Sequence, residues 1–138
     1  MSAGFDLLLI EDDEVDVQAL QRAFRKAELP HRLHVVYDGH AALERLRAGD
    51  LPAIRAVLLD LNLPRMNGVE FLESLRKDDA LRGLPVFMLT TSDAAADKAA
   101  AYRCGVSGYL VKSEMAEDFA GAARTLDAYL RQLVVPRE

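Results

Sequence analysis

The chain has 138 residues, 51% of them hydrophobic and 28% charged, which is typical of one soluble globular domain. Its net charge of -5 at pH 7 argues against broad binding to nucleic acid or anionic membranes, and the lone cysteine, Cys104, excludes an internal disulfide. The N-terminus lacks a signal-peptide pattern, and no apolar run approaches the roughly 18 residues of a membrane span. We therefore expect a cytoplasmic protein.

Five short apolar runs alternate along the chain with segments of helical period. The runs cover residues 7–10, 33–37, 56–59, 86–89 and 108–111. Their hydrophobicity is continuous over a strand length, which is typical of strands that are covered on both faces of a parallel sheet. The sequence therefore predicts five strands in a buried sheet.

A helix with one apolar face is expected after each run, because hydrophobic residues recur there at intervals of three and four. The second helix covers 41–48 and ends at Gly49, the third covers 69–77, and the fourth runs through 93–105, where Gly105 can act as a C-cap. The apolar face of the first helix consists of Val17, Leu20, Phe24 and Ala27. That of the last consists of Phe119, Ala123, Leu126, Leu130 and Leu133.

Five β-α repeats predict an α/β fold with a doubly wound, open parallel sheet, since crossovers between parallel strands are right-handed. Five repeats are too few for an eight-fold barrel. No break in composition separates a second domain. We therefore expect one domain over residues 1–138, with a core from about 5 to 131 and a short tail over 132–138.

Polar residues follow four of the five predicted strands. Strand by strand they are Glu11 and Asp12, then Asp60, then Thr90 and Thr91, and finally Lys112. In a doubly wound sheet these strand ends share one edge, where ligands bind. The carboxylates suit Mg²⁺, and a lysine and a threonine hydroxyl suit a phosphoryl group. The sequence therefore predicts metal-assisted phosphoryl chemistry at this edge.

The alternative for each residue is a structural role, because a single Asp or Thr at a strand end is most often a turn or cap residue. Agreement among four strand ends favours a site. We assign Asp13, Glu14 and Asp16 to the cap and the solvated first turn of the first helix.

The three histidines have no ligand partners at helical or strand spacing, and we expect them to be solvated or packed. His31 and His40 have loop-like neighbours, and His34 lies within a strand. The chain also lacks the glycine-rich loops that cradle nucleotide phosphates.

Four motifs, in this order and spacing, resemble the receiver domain of two-component response regulators, which has a flavodoxin-like fold with strand order 2-1-3-4-5. They are IEDD at 10–13, LLDLNLPRMNG at 58–68, LTTS at 89–92 and GYLVK at 108–112. The resemblance extends over residues 5–131.

This resemblance implies that Asp60 accepts a phosphoryl group from a partner histidine kinase. It also implies a Mg²⁺ site in which Asp12 is a direct ligand, Glu11 acts through water, and Asp60 and the backbone carbonyl of Asn62 complete the protein ligands. The protein would then catalyse only its own phosphorylation and dephosphorylation, and would not be an enzyme in the usual sense.

Three further roles follow from the same resemblance. Thr90 corresponds to the switch hydroxyl, Lys112 to the lysine that pairs with the phosphate, and Tyr109 to an aromatic rotamer switch. Phosphorylation would bias a face formed by the fourth helix, the fifth strand and the fifth helix.

The chain departs from the family pattern at Ser113, where the family usually has proline after the lysine. We expect the bond between Lys112 and Ser113 to be trans, because a cis bond to a non-proline residue costs about 2.5–4 kcal/mol. Ser113 could instead cap the last helix, with Glu114 and Glu117 in its first turn. Asn67, where the family often has aspartate, is a milder departure.

No output domain fits after residue 131, so we expect a stand-alone regulator that signals by protein contact. The segments DLNLPR, LTTS and LVVPRE resemble regulators that are paired with bacterial phytochrome-type histidine kinases, which implies a red-light-signalling partner and often a homodimer. The seven-residue spacing of Phe119, Leu126 and Leu133 is also coiled-coil-like and favours a dimer through the last helix and tail. The alternative is a stripe that packs on the sheet.

Three other functions remain open at this point. A phosphohydrolase of the haloacid-dehalogenase type would need a second carboxylate where Asn62 stands. A flavodoxin-like electron carrier would need a hydroxyl- and glycine-rich loop after the first strand. The third is a receiver-like docking module without phosphotransfer, and the departure from the family pattern at Ser113 leaves this function open.

Overall fold

The computed structural model describes residues 4–112 and 119–132. Its elements are β1 (Asp6–Ile10), α1 (Glu14–Lys26), β2 (Arg32–Val36), α2 (Gly39–Ala48), β3 (Ile54–Leu59), α3 (Gly68–Lys77), β4 (Val86–Thr90), α4 (Ala95–Arg103), β5 (Gly108–Val111) and α5 (Ala120–Gln132). The strands form one parallel sheet in the order β2-β1-β3-β4-β5, which confirms the predicted fold. Within the described residues, none of the helices has the length and hydrophobicity needed to cross a membrane.

The sheet is covered on both faces, which explains the continuous apolar runs. Leu7 and Leu9 of β1 point into a core beneath α1 and α5, whereas Leu8 and Ile10 point into a second core beneath α2, α3 and α4. These four side chains are at most 2% exposed. The central strands β1 and β3 thus hold their carboxyl ends rigidly between two packed layers.

Side-chain caps set the beginnings of the first three helices. The Asp13 side chain accepts hydrogen bonds from the backbone N–H groups of Val15 and Asp16, so Asp13 is the N-cap of α1, as expected. Asp38 caps α2, which therefore begins at Gly39 and not at residue 41. Asn67 forms a capping box with Glu70 at the start of α3.

The last helix begins later than its apolar stripe suggested. Phe119 precedes α5, with a φ of 57°, and its carbonyl accepts a hydrogen bond from the backbone N–H of Ala123 at 3.0 Å. Its side chain is nevertheless buried in the core beneath α1 and α5. The prediction that Phe119 is a helical residue was therefore wrong, although its burial was expected.

The stripe of α5 packs inside the protein. Ala123, Leu126 and Leu130 are at most 1% exposed and contact the core beneath α1, so the packing alternative is correct and these side chains offer no dimer surface. Residues 133–138 lie outside the described residues, as do Ser113, Glu114 and Glu117.

His31 is packed in a loop, as expected, whereas His40 differs from expectation. His31 is buried against the Phe5 ring, and its Nδ1 accepts a hydrogen bond from the backbone N–H of Phe5 at 3.1 Å. Its proton therefore lies on Nε2, which donates to Asp127 of α5 at 2.8 Å. His31 thus ties α5 to the sheet. His40 lies in the first turn of α2 and not in a loop.

Candidate functional site

Three carboxylates meet at the carboxyl edge of the sheet. Glu11 follows β1 and Asp60 follows β3, and these neighbouring strands are paired up to Ile10 and Leu59. Glu11, Asp12 and Asp60 each place a carboxylate oxygen within 4.8 Å of the other two. Glu11 and Asp60 are buried and Asp12 is exposed. This set of hard oxygen donors, open to solvent on one side, fits a divalent cation such as Mg²⁺.

Lys112 follows β5 and reaches into the acidic cluster. Its Nζ lies 2.6 Å from Glu11 Oε1, 2.7 Å from Asp16 Oδ2 and 3.6 Å from Asp60 Oδ2. Burial alone would lower the pKa of Lys112, but hydrogen bonds to Asp16 and Glu11 outweigh burial and raise this pKa. The lysine is therefore a fixed positive charge beside the cluster.

The carboxyl group of Glu11 lies in an environment that disfavours its charged form. Burial raises the pKa of Glu11 to about 7, the hydrogen bond from Lys112 opposes this rise, and the charge of Asp60 adds to it. Near neutral pH, a cation bound beside Glu11 would therefore favour its charged form.

Asp16 belongs to this site, although the sequence analysis placed it on the solvated helix surface. It lies in the first turn of α1 and accepts a hydrogen bond from Lys112. Asp13 remains the cap, and Glu14 accepts a hydrogen bond from the Tyr37 hydroxyl. Residue type alone does not reveal which of the side chains of Asp13, Glu14 and Asp16 points towards β5.

Thr90 and Tyr109 are joined through Ser92. Thr90 ends β4 and is fully buried, and its Oγ1 accepts a hydrogen bond from the backbone N–H of Ser92 at 3.3 Å. The hydroxyl of Tyr109, in β5, donates to the backbone carbonyl of Ser92 at 3.0 Å. Ser92 in turn donates from its own hydroxyl to Asp97 in α4. The sequence predicts no role for Ser92, and Thr91, which also follows this strand, is exposed.

The loop after β3 is held tightly around Asp60. The backbone N–H of Asn62 donates to Asp60 Oδ1 at 3.3 Å, and the Asn62 side chain is exposed. The backbone N–H of Gly68, the first residue of α3, donates to the carbonyl of Leu61 at 2.8 Å. A Cβ atom at position 68 would lie 2.8 Å from the Asp60 carbonyl oxygen, so only glycine permits this approach.

Comparison with protein families decides the assignment. Residues 7–124 match the family described as the response regulator receiver domain. The chain belongs to this family. Receiver domains act with histidine kinases and bind Mg²⁺ through acidic residues, and the acidic cluster of this receiver domain lies where its fold gathers the strand ends.

Relatives of this receiver domain extend over nearly the whole chain. The probable methanogenesis regulatory protein FilR2 from Methanothrix harundinacea is 36% identical over 128 residues, which cover 91% of this chain and 83% of that protein. Response regulator Rcp1 from Synechocystis sp. is 31% identical over 132 residues, which cover 93% of this chain and 90% of that protein.

Solved structures of response regulators have the same fold as this chain. The Mn²⁺-bound form of Rcp1 has a TM-score of 0.85 and 30% identity, and the match covers 96% of this receiver domain and 99% of that chain. The phosphorylated cyanobacterial phytochrome response regulator RcpA has a TM-score of 0.87 and 28% identity, with coverage of 98% and 100%.

Proposed function

We propose that this response regulator accepts a phosphoryl group on Asp60 from a partner histidine kinase, and that Mg²⁺ is held by Glu11, Asp12, Asp60 and the backbone carbonyl of Asn62. The observation that carries the proposal is the convergence of three carboxylates within 4.8 Å, with the Lys112 ammonium 3.6 Å from Asp60. Relatives that are named as Mn²⁺-bound and as phosphorylated support it.

The transfer requires a nucleophile, charge compensation and alignment. A carboxylate oxygen of Asp60 attacks the phosphorus, the bond between phosphorus and the histidine nitrogen breaks, and its electron pair leaves with the imidazole. When bound, Mg²⁺ screens the like charges of Asp60 and the phosphoryl group and aligns them. Lys112 then pairs with the phosphoryl oxygens, and the Thr90 hydroxyl donates a hydrogen bond to one of them.

The hydrogen bonds of Ser92 give the phosphorylated site a route to the protein surface. A shift of Thr90 towards the phosphoryl group changes its contact with the Ser92 backbone, to which the Tyr109 hydroxyl is also bound. We propose that this shift changes the position of Tyr109 and biases the face formed by α4, β5 and α5. The output is then a protein contact on that face.

We further propose a phytochrome-type histidine kinase as the partner and the cytoplasm as the location. RcpA, which is named as a phytochrome response regulator, supports this partner, whereas FilR2 is named for methanogenesis. The test compares the rates of phosphotransfer to this protein from a purified phytochrome-type histidine kinase and from a purified histidine kinase linked to methanogenesis. We expect faster transfer from the phytochrome-type kinase, and faster transfer from the other would contradict this assignment.

A homodimer remains a proposal that rests on the resemblance and on the apolar residues 133–135, because the stripe of α5 is internal. Sedimentation equilibrium of the full chain and of a chain that ends at residue 132 tests it. We expect a dimer for the full chain and a monomer for the shortened one. A monomeric full chain would contradict the proposal.

The phosphoryl acceptor is tested by intact mass after incubation with Mg²⁺ and acetyl phosphate. We expect an adduct of about 80 Da on the wild type and none on Asp60→Asn or in the presence of a chelator. Asp13→Asn is the matched control, because asparagine keeps the cap of α1 and Asp13 lies outside the metal set. No adduct on the wild type would leave only the docking module, and an equal adduct on Asp60→Asn would exclude Asp60.

A further inference from the structure

One acidic residue contacts the site lysine without belonging to the metal set or to the phosphoacceptor. Asp16 Oδ2 lies 2.7 Å from Lys112 Nζ, nearly a full ångström closer than Asp60 Oδ2, which lies at 3.6 Å. The side chain of Lys112 is only 8% exposed and that of Asp16 is 24% exposed. The contact is therefore a charge-assisted hydrogen bond in a largely water-excluded place, where such bonds are strongest.

The contact is also held in place at both ends. Asp16 has a short side chain on the first turn of α1, and its backbone N–H donates to the Asp13 cap at 3.4 Å. Lys112 directly follows β5, which pairs with β4 as far as Val111. Asp16 thus fixes the ammonium group from the helix side while Glu11 fixes it from the sheet side.

Phosphorylation changes the competition for this ammonium group. An aspartyl phosphate at position 60 presents new anionic oxygens to a lysine that already lies 3.6 Å from the carboxylate. To pair fully with them, Lys112 must give up part of its bonding to Asp16. Each bond that Asp16 keeps is one that the phosphoryl group does not gain.

We propose that Asp16 is a positioning residue that holds Lys112 away from Asp60 until a phosphoryl group competes for it. Asp16 thereby weakens the bond between Lys112 and the phosphoryl group and keeps the phosphorylated state from being over-stabilised. The inference rests on the proposed phosphoryl acceptance at Asp60 and assigns to Asp16 the control of how tightly that state is held.

The test is an equilibrium measurement with trifluoroberyllate, an analogue of the phosphoryl group, at saturating Mg²⁺. The Kd is measured by calorimetry for the wild type, Asp16→Asn and Glu14→Gln. We expect Asp16→Asn to bind about three- to ten-fold more tightly, which is less than the effect of a whole charge-assisted bond, because Lys112 gives up only part of its bonding to Asp16. Glu14→Gln removes the same charge from the same helical turn but touches Tyr37 and not Lys112, so we expect a change below about two-fold.

A second pair of variants shows whether Asp16 acts through the lysine. In a Lys112→Gln background, Asp16→Asn is expected to leave the Kd unchanged, because the competing ammonium group is absent. A full effect in that background, or binding by Asp16→Asn that is no tighter than in the Glu14→Gln control, would overturn the role of Asp16 and leave the proposed function standing. Failure of the wild type to bind the analogue would overturn both.

Discussion

Replacing Asp60 by asparagine should stabilise the metal-free protein. The carboxylates of Glu11 and Asp12 lie within 4.8 Å of that of Asp60, and Lys112 Nζ lies at 3.6 Å. At an effective dielectric constant of about 20, each of the two repulsions is roughly 3.5 kcal/mol and the attraction roughly 4.5 kcal/mol, which leaves a net repulsion of roughly 2.5 kcal/mol. Because Asp12 is exposed and better screened, we expect a gain of about 1–2 kcal/mol.

The assay is urea unfolding at pH 8 and low salt, with a chelator present. At this pH Glu11, with its pKa of about 7, is mostly ionised, and the asparagine keeps an oxygen that can accept the bond from the Asn62 N–H. Asp60→Asn should unfold at a higher urea concentration than the wild type, and added salt should reduce the difference. Asp13→Asn should match the wild type within about 0.5 kcal/mol.

Mg²⁺ should then reverse the order of stability. A ligand at one hundred times its Kd stabilises the folded state by about 2.7 kcal/mol, and the variant lacks one of the proposed metal ligands. The wild type should therefore become the more stable protein. A metal-free Asp60→Asn that is less stable than the metal-free wild type would refute the argument, because the carboxylates would then already be compensated.

Three further predictions concern the surroundings of the site and the edge of the sheet. Gly68→Ala should lower the free energy of unfolding by about 2 kcal/mol and slow phosphorylation, because its Cβ atom would lie 2.8 Å from the Asp60 carbonyl oxygen. The control in the same urea assay is Gly121→Ala, whose Cβ atom would meet nothing within 4 Å. Arg76→Met should cost about 2–3 kcal/mol in urea unfolding, because Arg76 donates to four backbone carbonyls before β4 and β5, and an unchanged midpoint would contradict this. Hydrogen bonds from Arg32 and His34 lower the pKa of Asp6 from 3.8 to about 2, so the stability they provide is present above pH 4 and is lost as the pH falls towards 2. Melting temperatures across this range should fall less steeply for Asp6→Asn than for the wild type, and parallel curves would exclude the effect.

The convergence of strand ends could be predicted because it follows from topology. Once five apolar runs of strand length alternate with helices, parallel pairing puts every carboxyl end at the same edge. Glu11, Asp60, Thr90 and Lys112 each stand directly at or after such an end. Residue type and position alone therefore bring them together, without knowledge of any side-chain direction.

Asp16 and Ser92 could not be found in this way. Asp16 is one of several acids in a helical turn, and only the direction of its side chain distinguishes it from Glu14. Ser92 links Thr90 to Tyr109 through its backbone N–H and carbonyl, which carry no signal in the sequence. Both contacts depend on geometry finer than secondary structure.

The last helix shows a different limit. Over two heptads, a seven-residue repeat and a 3.6-residue stripe select nearly the same positions, so the spacing alone could not separate a dimer seam from a buried face. The burial of Leu126 and Leu130 decides for the buried face. Phe119 fitted the stripe because its side chain reaches the same core from the residue before the helix.

We propose above all that Asp60 carries the phosphoryl group. The most direct test is to digest the protein after treatment with Mg²⁺ and acetyl phosphate, under conditions mild enough to preserve an acyl phosphate, and to locate the adduct by tandem mass spectrometry. We expect modification of the peptide that contains Asp60, on that residue alone. An adduct on Glu11, Asp12 or a histidine, with Asp60 unmodified, would contradict it.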